Sequence, residues 1–208
     1  MRLFVLGATG RTGVELVDLA LAEGHEVTAF VRSPHKIVRR DQRLDVVKGD
    51  PRNVSALVEA LPGHDAVLSA LGPAPREAMT VSTLLRESAA STVQAMKTAG
   101  VPRLAVVSSA LLFLGGGPLV ALGRRVLRPH LEDLRAMEAR VQASDTAWTI
   151  ARPPRLTPSG DQTYRAQADA LPGGLNLRAW LSWRGVAAFL LDSLSEGRWV
   201  RQVVGLAH

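Results

Sequence analysis

Apolar, β-branched runs alternate with segments of helical period along the chain. The runs Arg2–Leu6, Glu26–Val31, Asp45–Val47, Ala66–Ser69, Leu104–Ser108, Thr146–Ala151 and Val200–Val204 predict strands. Apolar positions spaced three and four apart predict helices near Thr12–Glu23, Val54–Leu61, Val81–Ala99, Leu131–Ala143 and Arg184–Leu194. Strands that are apolar nearly throughout are covered on both faces, and helical crossovers between parallel strands provide that cover. The expected fold class is therefore α/β, a doubly wound parallel sheet in a single domain over residues 1–208. Gly24 and Gly100 stand where a left-handed helix cap is expected, and Pro102 stops the second helix from continuing.

Composition narrows the chemistry. The chain has 208 residues, 47% of them hydrophobic, and no cysteine, which excludes disulfides, thiolate metal sites and a thiol nucleophile. His25, His35, His64, His130 and His208 are too scattered for a local metal motif, so no metal is expected. The net charge of +6 comes from basic residues spread along the chain. The sharpest cluster, Arg124, Arg125 and Arg128, has no interleaved aromatics, and no nucleic-acid partner is expected. Leu104–Gly123 carries no charge, yet Ser108, Ser109 and the "GGGP" of Gly115–Pro118 would break a lipid-exposed helix. That segment reads as a buried strand followed by an apolar loop. With no convincing signal peptide, the expectation is a cytoplasmic protein without a membrane partner.

The stretch "VLGATGRTGVELV", Val5–Val17, lies where the first strand turns into the first helix, and open parallel sheets bind ligands at such a turn. Bare backbone at Gly7, Gly10 and Gly13 allows a tight turn, close approach of a pyrophosphate, and packing of helix on strand. The helix N-terminus adds unpaired N–H groups and a positive dipole end for the phosphates. A P-loop does not fit, because no Gly-Lys-Ser/Thr follows.

The end of the second strand selects between cofactors. An acid there binds the ribose hydroxyls of NAD, whereas a basic residue accepts a 2′-phosphate. Here "AFVRSPHK" places Arg32 and Ser33 instead of an acid, with Lys36 a turn later and Arg11 able to approach the same phosphate. NADP(H) is expected in preference to NAD(H). Asp50, after the third strand, and Ala70–Gly72, after the fourth, fall where loops contact adenine and backbone. The Pro- and Gly-rich stretch beginning at Pro153 reads as an insertion near the site, giving a small substrate-side region around residues 153–180.

In order, "GATGRTG", "VTAFVR", "VVKGD", "AVLSALG", "AMKTAGV", "VVSSALLFL" and "WTIARPPRLT" resemble the atypical short-chain dehydrogenase/reductases. Within that group they are similar specifically to NAD(P)H-binding proteins of the NmrA-like and biliverdin reductase B/flavin reductase type. The resemblance implies a Rossmann-like fold in which Gly7, Thr9, Gly10, Arg11, Thr12, Arg32, Lys36, Asp50, Leu71, Gly72 and Pro153 touch cofactor. It also implies that Ser109 sits beside the nicotinamide as the catalytic serine. The usual Tyr-x-x-x-Lys pair is missing, since Tyr164 is the only tyrosine and no lysine follows Lys97. The flavin reductase type carries an Asp-His-x-x-Met pattern, and here "EDLRAM" puts Leu134 at the histidine position; His130 is one turn earlier.

The lost proton donor turns the expectation from simple carbonyls to a flat apolar acceptor, a flavin, quinone or tetrapyrrole-like ring. Ser109 would hydrogen-bond the acceptor or the carboxamide. Leu111–Leu114 and Leu119–Leu122 would form a lid or platform, or else be buried against the domain or in a dimer. Trp180 and Trp183 are expected to be packing residues. The protein is expected to be a monomer or homodimer. The alternative in a different class is a non-catalytic NADP(H)-binding redox sensor or regulator.

Overall fold

The computed structural model describes residues 1–73, 80–158, 160–195 and 197–208. Strand and helix alternate as β1 (Arg2–Leu6), α1 (Arg11–Ala22), β2 (Glu26–Val31), β3 (Leu44–Lys48), α2 (Val54–Ala60), β4 (Ala66–Ser69), α3 (Leu84–Ala99) and β5 (Arg103–Val107). The chain continues through α4 (Gly117–Val126), α5 (Arg128–Gln142), β6 (Ala147–Arg152), β7 (Arg155–Thr157), β8 (Arg165–Ala168), β9 (Trp180–Ser182), α6 (Trp183–Ser195) and β10 (Gln202–Ala207).

Eight strands form one sheet in the order β3-β2-β1-β4-β5-β6-β10-β8, parallel except for β8, which runs antiparallel at the edge. Alternation along the central strand explains the double layer. Leu3 and Val5 of β1 pack with residues of α1 and α6, while Phe4 and Leu6 pack with residues of α2, α3 and α5. Each such fully buried Leu or Phe contributes about 1.5–3 kcal/mol relative to exposure. The α/β doubly wound fold is thus observed as a single domain, with a mixed rather than purely parallel sheet.

Local chemistry sets the helix ends. Gly100 takes the left-handed conformation (φ +72°), and the N–H of Val101 returns to the Met96 carbonyl at 3.0 Å, ending α3. At the other end of α3 the cap comes from a different helix. Asp133 of α5, 1% exposed, accepts the backbone N–H groups of Leu85 (3.0 Å) and Arg86 (3.2 Å) and the Arg86 Nε–H (3.0 Å). Arg103, at the start of β5, is buried without a carboxylate among the described residues; its guanidinium donates to the carbonyls of Ala147 and Ser193 and to Thr149 Oγ1.

The structure departs from the expectations after β5. Leu119–Leu122 belongs to helix α4 rather than a loop, because Gly115, Gly116 and Gly117 at positive φ turn the chain and Pro118 starts the helix. Residues 153–180 are not without regular structure. β7 and β9 pair in a small parallel ribbon, and β8 extends the main sheet. The last strand begins at Gln202, after a turn at Arg201 (φ +56°), rather than at Val200. No described helix is long and apolar enough to cross a membrane.

Candidate functional site

The sheet order reverses between β1 and β4, and there a groove of about 590 Å³, counting its solvent-open part, lies beyond the strands' carboxyl ends. Of the residues expected from sequence, it brings together Gly7, Thr9, Gly10, Arg32, Leu71 and Gly72.

The three glycines differ in what they require. Gly7 has φ +82°, and a Cβ there would stand 2.7 Å from the Ala70 carbonyl. A Cβ on Gly13 would lie 2.0 Å from the Gly7 oxygen, so α1 packs directly on the turn. Gly10 is under no such compulsion: its φ is −80°, and a Cβ would come only to 3.2 Å of the Gly7 oxygen. It lines the open groove at the N-terminus of α1, which has no side-chain cap and no acid in its first turn. Thr12, in that turn, is 9% exposed. The N-terminus of a long helix, approached over bare backbone, suits a phosphate-bearing ligand.

At the groove's rim Arg32 is exposed, and among the described residues no carboxylate is within ion-pairing distance of it. Asp50 is close enough to feel its charge but is held elsewhere. Both Asp50 oxygens accept from Arg52, Oδ1 from Nε at 3.0 Å and Oδ2 from Nη2 at 2.7 Å. These hydrogen bonds from Arg52 lower the Asp50 pKa to about 2. Arg11 does not line the groove, and its guanidinium lies 4.9 Å from the centre of the Trp183 ring. Lys36 lines a separate groove beside α1 with Val14, Asp18 and Ile37.

Ser109 and Pro153 lie at the same carboxyl edge, after β5 and β6. Ser109 caps a short 3₁₀ turn, Ala110–Leu112, its Oγ accepting the Leu111 N–H at 3.3 Å, and the Pro153 carbonyl accepts the Ala110 N–H at 2.8 Å. Neighbouring Ser108 faces α5, as Val106 does two residues earlier. Its hydroxyl donates to Glu138 Oε1 at 2.5 Å, and Glu138 takes both Arg152 Nε–H (2.9 Å) and Nη2–H (2.5 Å). The Arg152 guanidinium then lies 4.7 Å from the Phe113 ring centre. The sequence reading missed this chain of Ser108, Glu138, Arg152 and Phe113. Its one signal was an ionisable residue, Glu138, at an inward position of an amphipathic helix.

The loop after β5 is strapped by Arg124 of α4, which donates to the carbonyls of Leu111 (2.9 Å), Gly115 (2.8 Å) and Phe113. His130 falls in the first turn of α5, and burial holds its pKa below the usual histidine value in spite of Asp133. The hydroxyl of Tyr164 donates to Asp192 of α6 at 2.5 Å. Trp180 stacks on His208 at 4.1 Å. Among the described residues no group of three or more His, Asp or Glu side chains could hold a metal ion.

Comparison with known proteins agrees with this fold. Residues 7–197 match the family described as NAD(P)H-binding. The YwnB protein of Bacillus subtilis (strain 168) is 27% identical over 212 residues, 94% of this chain and 93% of that protein. The 3-diazoavenalumate denitrifying reductase of a Streptomyces species is 34% identical over 129 residues, 58% of this chain and 41% of that protein. A solved structure, a Rossmann-fold NAD(P)-binding family protein from Shigella flexneri, superimposes with a TM-score of 0.73 at 26% identity, covering 99% of this chain and 92% of that one.

Proposed function

The chain belongs to the NAD(P)H-binding family, and from that premise we propose that it is an NADPH-dependent reductase of the flavin reductase type that reduces a flat apolar acceptor, a flavin, quinone or tetrapyrrole-like ring. The observation that carries the cofactor choice is Arg32, an exposed guanidinium without a carboxylate partner among the described residues, on the rim of the groove that Gly7, Thr9 and Gly10 line. Gly7, Thr9, Gly10 and the first turn of α1 through Thr12 and Gly13 would hold the pyrophosphate, and Arg32 the 2′-phosphate. Leu71 and Gly72 would lie along the cofactor, Asp50 on its adenine side, and Pro153 at its nicotinamide end. Arg11 and Lys36 join this set only by rotating away from their present neighbours. The Streptomyces relative, a reductase by name, supports the same reaction class.

When bound, the cofactor supplies hydride, and the chain's part is to orient the acceptor and shield it from water. Because Ser109 Oγ accepts the Leu111 N–H, its own proton is available to an acceptor oxygen or nitrogen. The Ser108 proton is engaged by Glu138. The apolar loop Leu111–Phe113, braced by Arg124 and Arg152, would form the wall against which a flat ring lies. A flavin or quinone takes its remaining proton from water, so no Tyr-Lys pair is required.

The test is to mix the protein with NADPH or NADH and FMN and follow loss of reduced-nicotinamide absorbance against a protein-free control. Turnover that prefers NADPH supports the reading; absence of binding to either nucleotide overturns it. The sensor reading draws on Tyr164, whose hydroxyl is committed to Asp192. Tight NADPH binding without turnover across flavins and quinones would favour it.

A further inference from the structure

Helix α4 is built the reverse of an ordinary surface helix. Val120 is 2% exposed and Arg124 folds inward onto three loop carbonyls, whereas Leu119, Leu122 and Val126 are 64%, 57% and 52% exposed. Those three, spaced three and four apart, share one face, and Leu114 at the preceding turn is 96% exposed. A stripe of large aliphatic side chains held in water by a helix that could have turned them inward marks an interaction surface.

We propose that this face of α4 docks the protein on an anionic lipid surface. Charge selects the occupant. From Leu104 to Leu131 the sequence contains Arg124, Arg125, Arg128 and His130 and no acidic residue. Arg125 flanks the apolar stripe, and Arg128 beside it is 76% exposed, its pair with Glu132 at 2.8 Å lying in solvent. A second copy meeting this face symmetrically would bring its basic flank, Arg125 and Arg128, toward another basic flank, with +6 on each partner. Acidic headgroups complement the same cations while the leucines enter the headgroup–acyl boundary, as interfacial amphipathic helices do. The sequence reading expected no membrane partner because it found no span, and docking in the interface needs none. The proposal does not rest on the reductase reading, although docking there would bring the Leu111–Phe113 loop close to a lipid-soluble acceptor.

The experiment is flotation of the full chain with vesicles of phosphatidylcholine alone and of phosphatidylcholine mixed with phosphatidylglycerol. The protein should float with the anionic vesicles, stay behind with the neutral ones, and be released by added salt. Leu119→Asp/Leu122→Asp should reduce binding by at least roughly tenfold, and Arg125→Glu should reduce it less. NADPH titration of each variant checks that it is folded, since these residues lie outside the nucleotide groove. The proposal is overturned if the wild type fails to float with anionic vesicles, or if the double variant is folded and floats as well as the wild type. It is equally overturned if light scattering shows a dimer that the same two substitutions dissociate, which would make a second copy the occupant.

Discussion

Replacing Arg32 by alanine isolates the feature on which the proposed cofactor choice rests. Asp50, whose carboxylate feels the Arg32 charge, is held by Arg52 at 2.7 and 3.0 Å, and among the described residues no carboxylate pairs with Arg32. Charge-assisted hydrogen bonds to a phosphate contribute about 1.5–3 kcal/mol, which corresponds to about 10- to 150-fold in affinity. Arg32 is exposed, and screening by solvent and salt puts the expectation in the lower part of that range, about 10- to 30-fold for NADPH. NADH lacks the 2′-phosphate and should change by less than about 3-fold. Fluorescence titration with both nucleotides at two salt concentrations measures this directly. The wild-type preference for NADPH should shrink at higher salt, and Arg32→Asp should reverse it. Equal losses for NADPH and NADH in Arg32→Ala would refute the reasoning and leave Arg32 a solvated surface residue.

The remaining expectations address the cradle, the buried ion pair, the rim carboxylate and the serine. Gly13→Ala puts a Cβ 2.0 Å from the Gly7 oxygen and should destabilise the fold by about 1–3 kcal/mol or more in thermal melts. Gly10→Ala should melt near the wild type yet lose NADPH affinity, and retained affinity would remove Gly10 from the phosphate site. Arg152→Met strands a Glu138 side chain that is 5% exposed, costing about 3–5 kcal/mol in urea unfolding. Adding Glu138→Gln should recover much of that loss, and strictly additive losses would show the two side chains to be uncoupled. Asp50 has a folded pKa of about 2, below the unfolded value. Its stabilising effect is therefore complete above the ordinary carboxylate pKa and is lost as pH falls through about 2. Because its side chain is 35% exposed, the effect should stay below about 1 kcal/mol. Arg52→Ala should move the Asp50 titration, followed by carboxyl NMR, up toward the ordinary value. Ser109→Ala should slow acceptor reduction with NADPH affinity unchanged; full turnover would leave Ser109 only its turn-capping role.

How much of this was legible along the chain depends on the range of the force involved. The strand–helix alternation, the left-handed cap at Gly100 and the glycine cradle are written locally, in apolar periodicity and in residues whose backbone freedom acts where they stand. Elements made by distant partners were not legible. The three-residue strands β7 and β9 exist because they find each other across the chain, and their own propensity is too weak to announce them. Helix α4 was hidden by its glycines, which local rules read as a loop although they serve as its entry turn. The position of Ser109 just after β5 was visible from the motif around it. The role of Ser108 was not, because it depends on Glu138 on another element and, through Glu138, on Arg152 at the end of a different strand.

The sequence by itself determined the fold class and the glycine turn between the first strand and the first helix, since periodicity and residue spacing carry those at short range, and its motifs pointed to the NAD(P)H-binding family. Only the tertiary structure decided how the charges are spent. It commits Asp50 to Arg52, brings Arg11 onto Trp183, seals Glu138 between Ser108 and Arg152, and leaves Arg32 without an acid partner among the described residues. An ionisable group's role depends on which opposite charge or ring comes within a few ångströms and on how much water remains there. Both are properties of elements packed together from distant parts of the chain.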